Sequence, residues 1–528
     1  MNKFKIPRKN LLLIFLGFFS FAINFYYANF GVYKVDTFAF FDTAYNILID
    51  RHPFKDVWIT TGPLVDYLQA FFFKIFGLNW TSYVIHASFM NVIISILLFF
   101  TLNELKLNYY LSFFYAICFS ILCYPISGTP FAYIHSYILA LMSILVFVLA
   151  IKKESKISFI ILPILMFMAF FSMQTPSAYI ILIILFLLII YFFYNFDFNK
   201  IFFFLTGCGI VILTFLTYLI IFEIPLINII QQYILFPLTI AENRITGNEM
   251  AHITIFERLT FRNLLGHFKF INLLLILLIV LSYYNYLHKQ KNFLNKNDII
   301  INYLLFFSTV ALIFNQLITS NQTYIFSIIP FLGAFLHVNL RKMDLNSKKI
   351  IYPILILVAF STIKYHIEYN VNRKFMDLKG IDLKKSVDAN LIDKKFKNLM
   401  WITPQFPNEP KKEINLILEA LDHIKKENKS KMVITEYQFF SFILEKNLNI
   451  PNRWYTPDNN SYPRENHKYF KYYLNHFSQN IKKNKIKLIY IVDSDLKIEW
   501  LPLAEANICY STNMINEISS VFEIRDCN

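Results

Sequence analysis

From Leu107 to Ile151 the chain carries no Asp, Glu, Lys or Arg. That run exceeds the roughly 20 apolar residues that cross about 30 Å of hydrocarbon, so the sequence predicts two membrane helices, divided at Pro125-Ile126-Ser127-Gly128-Thr129-Pro130. Ile157 to Phe196 repeats the plan, with its break at Ser172-Met173-Gln174-Thr175-Pro176-Ser177. A chain that is 56% hydrophobic, 18% aromatic and only 16% charged lies outside the range of soluble proteins. The expected class is therefore an α-helical polytopic membrane protein.

Further spans are expected at Leu11 to Tyr33, Ile75 to Asn103, Ile201 to Phe222 and Phe270 to Leu287. Ile299 to Leu340 holds two more around Thr319-Ser320-Asn321-Gln322, and Ile350 to Ile363 is the last and shortest. A signal peptide is the rival reading of the first, with Ser20-Phe21-Ala22 as a poor cleavage site. The total is about 11 transmembrane helices.

Charge orients them. With the amino terminus in the cytoplasm, each inner segment (Met1 to Asn10, Glu104 to Lys106, Lys152 to Lys156, Asp197 to Lys200, His288 to Asp298, Arg341 to Lys349) holds Lys or Arg, whereas the short outer turns hold none. The net charge of +15 thus reads as an orienting signal, and nucleic acid is not an expected partner. Two long loops, 31–77 and 223–269, then face outward, and an odd number of spans puts the tail outside as well. Two prolines and Gln231-Gln232 suggest that Ile224 to Ala241 is re-entrant or interfacial.

The tail, 367–528, is polar and rich in Lys and Asn, against 1–366 for the transmembrane part. Helix-like Glu413 to Lys426, strand-like Lys431 to Thr435, helix-like Gln438 to Lys446 and Tyr469 to Lys483, and strand-like Lys485 to Val492 predict a small C-terminal α/β extracytoplasmic domain. Its loop from Asn452 to Arg464 is aromatic and carries two arginines; it reads either as an acceptor contact or as a turn pinned by packed rings. Cys509 and Cys527 are the pair that an oxidising compartment would join. Cys118, Cys123 and Cys208 read as small core residues, and no spacing marks a metal site.

The first loop carries Asp36, Asp42, Asp50, Asp56 and Asp66 among Phe, Tyr and Trp. A carboxylate at the membrane surface has the chemistry of a general base toward an acceptor hydroxyl or amine. Arg244, Arg258 and Arg262 in the second loop suit a lipid phosphate, because arginine binds phosphate oxygens bidentately and stays charged. The bland readings are solvated surface carboxylates, arginines meeting anionic head groups, and His86 and His135 as packing residues.

Asp42-Thr43-Ala44-Tyr45, Ile47-Leu48, Arg51-His52-Pro53-Phe54-Lys55-Asp56, Gly62-Pro63-Leu64 and Leu68-Gln69-Ala70 together resemble the first outer loop of GT-C glycosyltransferases. These polytopic enzymes include protein O-mannosyltransferases and lipid A aminoarabinose transferases. The clear part of the resemblance covers about residues 11 to 200, and the rest is similar in layout. It implies inverting transfer of a sugar from a polyprenyl-phosphate donor; with the loops outward and Ile, Phe, Asn and Lys abundant, the expected setting is the outer face of a bacterial cytoplasmic membrane, with a cell-envelope acceptor.

The resemblance puts the catalytic acid at Asp42, with Asp36 as the alternative, and Asp56 and Tyr45 near the acceptor or behind it. Arg244, Arg258 and Arg262 fall to the donor phosphate, and Gln174 to the donor or, more simply, to a helix cap. Thr43 stands where the family pairs Asp with Glu, which leaves the need for a divalent cation open. Two other classes remain. A lipid-linked sugar or polysaccharide transporter would place ionisable groups inside its helices, and a non-catalytic membrane scaffold would be indifferent to loss of Asp42.

Overall fold

The computed structural model describes residues 8–123, 127–246, 255–288, 294–319, 325–345, 347–456, 460–525 and 527. The central parts of the expected breaks at Pro125-Ile126, Gly247-Asn248 and Asn321-Gln322 lie outside the described residues.

Among the described residues, eight helices are long and apolar enough to cross a membrane: α1 (Arg8–Ala28), α5 (Trp80–Glu104), α7 (Ala132–Lys153), α9 (Ser177–Tyr194), α10 (Phe198–Ile221), α14 (Lys269–Leu287), α15 (Lys296–Ile318) and the helix that begins as α17 (Lys348–His366). Three shorter helices, α6 (Tyr109–Cys123), α8 (Lys156–Ser172) and α16 (Ile328–Lys342), pack among them. Most of α7 is buried, so this helix is the centre of the bundle, whereas α10 keeps most of its apolar surface exposed. Its close approach to α8 depends on Gly207, where a Cβ would lie 2.4 Å from the Ile160 carbonyl oxygen.

Side chains set several of the starts. Asn79 accepts the Ser82 N–H at the head of α5, Ser155 the Ser158 N–H at α8, and Asn295 and Asp298 form a reciprocal capping box on α15. The expected span Ile75 to Asn103 is thereby corrected: the chain breaks at Gly77 (φ 86°) and the spanning helix starts at Trp80. The last span is longer than its apolar run, because α17 continues through a widened turn, Ile367–Val371.

The two long loops are themselves folded. The first contains α2 (Lys34–Thr37), α3 (Phe41–Leu48) and α4 (Leu64–Phe76). In the second, α11 (Leu226–Ile229) runs through a widened turn into α12 (Phe236–Thr246), followed by α13 (Ile255–Arg258). Ile229, Gln232, Tyr233, Phe236 and Thr239 are buried, while Leu226, Ile227, Ile230, Ile234 and Leu238 stay exposed. The segment is thus helical, with one face packed on the protein and an apolar face left exposed. Pro225 sits before α11, where a missing N–H costs little; Pro237 follows the widened turn, and the Tyr233 carbonyl four residues before it accepts the Gln174 amide.

The tail holds β1 (Val387–Asp388) paired with β2 (Met400–Trp401), then α18 (Pro410–Lys426), β3 (Lys431–Thr435), α19 (Phe440–Leu444), α20 (Phe470–Lys483), β4 (Leu488–Val492), β5 (Cys509–Asn516) and β6 (Ser519–Arg525). The larger sheet has the order β3-β4-β6-β5, with β3 and β4 parallel and the other pairs antiparallel. The closing hairpin β5–β6 is absent from the sequence-based expectation. A disulfide between Cys509 and Cys527 ties its first strand to the chain end, across a Cα–Cα distance of 5.2 Å.

The first loop, the second loop, the tail and the turns near Gly128 and Gln174 meet at one end of the bundle. At the other end the lysines gather: Lys152 and Lys342 share Asp298, Lys153 meets Glu104 at 2.7 Å and Lys200 meets Glu154 at 3.1 Å.

Candidate functional site

The first loop is built into the tail as a shared core. Phe38 is fully buried, with its ring 4.9 Å from Phe439 and 5.6 Å from Phe396, and Phe41 lies 4.2 Å from Phe442. Each such ring contributes roughly 1.5–3 kcal/mol through burial. Gly62 lets the loop cross the end of α8: its N–H donates to the Ser172 carbonyl at 3.0 Å, and a Cβ there would overlap the Phe171 carbonyl.

Polar ties fix the register. Trp58 N–H donates to the Pro451 carbonyl, and Lys34 reaches Asp493 at 2.6 Å and Asp495 at 2.7 Å. Arg453 donates to Asp66 and Thr61, and Asp66 also accepts the Thr43 hydroxyl at 2.5 Å. The Arg453 guanidinium also lies 4.4 Å from the Phe40 ring centre, so this one of the loop's two arginines is built into the contact between loop and tail. That loop's residues 457–459 lie outside the described ones.

Of the two expected catalytic acids, Asp42 is wholly enclosed. Its carboxylate accepts the backbone N–H groups of Ser441 (3.1 Å) and Phe442 (2.8 Å) and so caps α19, a helix of the tail. Desolvation pushes its pKa up to about 7, against the pull of those N–H groups. Asp36, at the head of the loop in α2, is half-buried and keeps part of its surface open. No hydrogen bond reaches its carboxylate among the described residues, and desolvation also pushes it up to about 7.

Around Asp36 stand groups that the sequence did not single out. Glu436 is buried: one carboxylate oxygen accepts the Tyr455 N–H at 3.1 Å and the other has no hydrogen-bond partner. Desolvation, with repulsion from Asp493 and Asp36, pushes its pKa up to about 8. Tyr33 rises to about 12, chiefly through burial and then through Asp36. Trp454 donates to the Val35 carbonyl at 3.1 Å, closing the tail over this segment. The site therefore places one half-buried carboxylate beside one buried acid and two rings.

The remaining predicted residues are placed elsewhere. Asp56 accepts the His52 N–H at 3.0 Å and lies 3.4 Å from Lys483, while Asp50 is exposed and meets His52 at 3.0 Å. Tyr45 packs edge-on against Phe442. Gln174 is not a helix cap: its amide donates to the carbonyls of Thr60 (2.8 Å) and Tyr233 (2.7 Å), linking the two long loops. Arg258 is buried and donates to the carbonyls of Leu317 and Ile318, so it closes the C-terminal end of α15. Arg244 is half-exposed on α12, and Arg262 is exposed. Arg258 is thus engaged by α15, while Arg244 and Arg262 lie on α12 and just after α13.

His86 and His135 are buried and face one another, with 3.1 Å between their Nε2 atoms. Among the described residues, no three His, Cys, Asp or Glu side chains are grouped so as to hold a metal ion.

The Asp66–Arg453 pair escaped sequence reading because an acid in an outer loop reads as solvated. The signal was present in α4, where Val65, Asp66, Gln69, Ala70 and Phe73 fall on one buried face. Glu436 carries no comparable signal. The chain matches no protein-family model and no curated protein in these comparisons.

Proposed function

We propose that this protein is a membrane glycosyltransferase that moves a sugar from a polyprenyl-phosphate donor to a cell-envelope acceptor at the outer face of a bacterial cytoplasmic membrane. In this reading the eight long apolar helices and α6, α8 and α16 make eleven spans. The lysine-rich end is cytoplasmic, and the loops and tail are outside. The Cys509–Cys527 disulfide fits an oxidising compartment.

Asp36 carries the proposal. A carboxylate that is partly open, free of hydrogen bonds among the described residues and poised at about 7 suits a base that takes a proton from an acceptor hydroxyl or amine as it attacks the sugar carbon. The leaving group is the lipid phosphate. Asp42, bonded to the head of α19, instead fixes the loop against the tail. Arg262, exposed in the second loop, suits a donor phosphate.

The test is sugar transfer from labelled polyprenyl-phosphate sugars to a pool of envelope acceptors, in membranes holding equal amounts of folded protein. Asp36→Asn is expected to lose transfer by at least about a hundredfold, while Asp42→Asn keeps its turnover per folded molecule. Equal transfer by wild type and Asp36→Asn removes Asp36 from the mechanism. Loss in Asp42→Asn alone returns the role to Asp42. If wild type yields no transfer with any donor of this class, the transferase reading falls.

A further inference from the structure

At the lysine-rich end, far along the chain from the loop site, a cavity of about 370 Å³ opens between the start of α6, the end of α16 and the start of α17. This is within the size range of ligand pockets. Lys106, Arg341 and Lys348 line it, with Leu111 and Ile351 forming part of its apolar wall. No carboxylate lines it among the described residues.

Several other cations at this end are matched, Lys152 and Lys342 by Asp298, Lys153 by Glu104 and Lys200 by Glu154, whereas exposed cations such as Lys9 and Lys349 line no part of the cavity. Lys106, Arg341 and Lys348 are exposed and have no ion pair among the described residues. Orienting a helix requires only that cations be present; it does not require three of them around one hollow.

His337 supplies a buried polar wall, only 4% exposed. Its Nδ1 lies 3.1 Å from the Tyr115 hydroxyl. With that hydroxyl donating to Nδ1, the ring proton is on Nε2, which becomes a donor for the cavity.

We infer that this cavity binds the phosphoryl head group of an anionic phospholipid. Lys106, Arg341 and Lys348 meet the phosphate oxygens, His337 donates from below, and the acyl chains leave along the apolar flanks of α6 and α17. Basic pockets between membrane helices at a cytoplasmic surface are suited to this chemistry. The orientation proposed above decides only which leaflet supplies the lipid. A free phosphate offers the same oxygens but gains nothing from the apolar wall.

The full chain, placed in symmetric nanodiscs of phosphatidylcholine with a minor share of phosphatidylglycerol, is released and its retained lipid is measured by native mass spectrometry. Wild type is expected to retain phosphatidylglycerol preferentially. The triple variant Lys106→Gln, Arg341→Gln, Lys348→Gln should lose that preference by at least about tenfold. A control, Lys9→Gln with Lys349→Gln, removes exposed cations of the same end that do not line the cavity, and should keep it. Equal preference in wild type and triple variant, or equal loss in the control, overturns the site. Displacement of the lipid by inorganic phosphate assigns the cavity to a free anion and overturns the lipid. Matching unfolding temperatures in pure phosphatidylcholine establish that the variants are folded, and symmetric bilayers keep the result independent of transferase activity.

Discussion

Arg453 and Asp66, separated by most of the chain, form a salt bridge in which both side chains are almost completely removed from solvent, at 1% and 0% exposure. The arginine belongs to the tail and the aspartate to α4 of the first loop, so the pair locks the two together. Removing one partner leaves a buried charge unmatched. Arg453→Ala and Asp66→Ala are each expected to cost about 3–5 kcal/mol, whereas an apolar replacement of both, Asp66→Leu with Arg453→Met, should recover most of the loss. Unfolding of the purified variants, read as a double-mutant cycle, measures the difference.

The rate of the proposed transfer should depend on pH through Asp36. Only the carboxylate form accepts a proton, and its pKa is pushed up to about 7. Below that value the rate should fall about tenfold per pH unit, and above it the rate should level off. A pH–rate profile of kcat/KM checks this, and a profile without an inflection near neutrality would exclude Asp36 as the titrating base.

Glu436 predicts a pH effect on stability of opposite sense. Its folded-state pKa, about 8, stands above its ordinary value, so the folded protein holds the proton more tightly than the unfolded chain. The stabilisation is full below the ordinary glutamate range and is lost as pH rises toward about 8. Glu436→Gln should remove a few kcal/mol of this decline, by the conversion of about 1.4 kcal/mol per unit. Thermal unfolding across pH 5 to 8 separates the variant from wild type; parallel curves would contradict the assignment.

Gln174 links two outer loops through the carbonyls of Thr60 and Tyr233. Gln174→Ala strands both acceptors and is expected to cost about 1–3 kcal/mol. Proteolysis or hydrogen exchange should show the first and second loops opening together. A loss confined to one loop would mean that the two are held independently.

The apolar runs determined much of the architecture by themselves. Water cannot satisfy backbone groups inside hydrocarbon, so stretches such as Ile201 to Phe222 must be helical, and their ends fell within a few residues of α10. Strand and helix patterning likewise marked Lys431 to Thr435 and Glu413 to Lys426, because burial on a sheet or along one helix face leaves a period in the sequence.

Only the tertiary structure decided what the loop acids do. Asp36 and Asp42 are six positions apart in one loop and carry the same chemistry, yet one keeps part of its surface exposed and the other caps α19, formed some four hundred residues later. Arg258 shows the same point, since the carbonyls it meets, Leu317 and Ile318, belong to another helix. A carboxylate's solvation and a guanidinium's partner are set by contacts distant in sequence, and no local pattern records them.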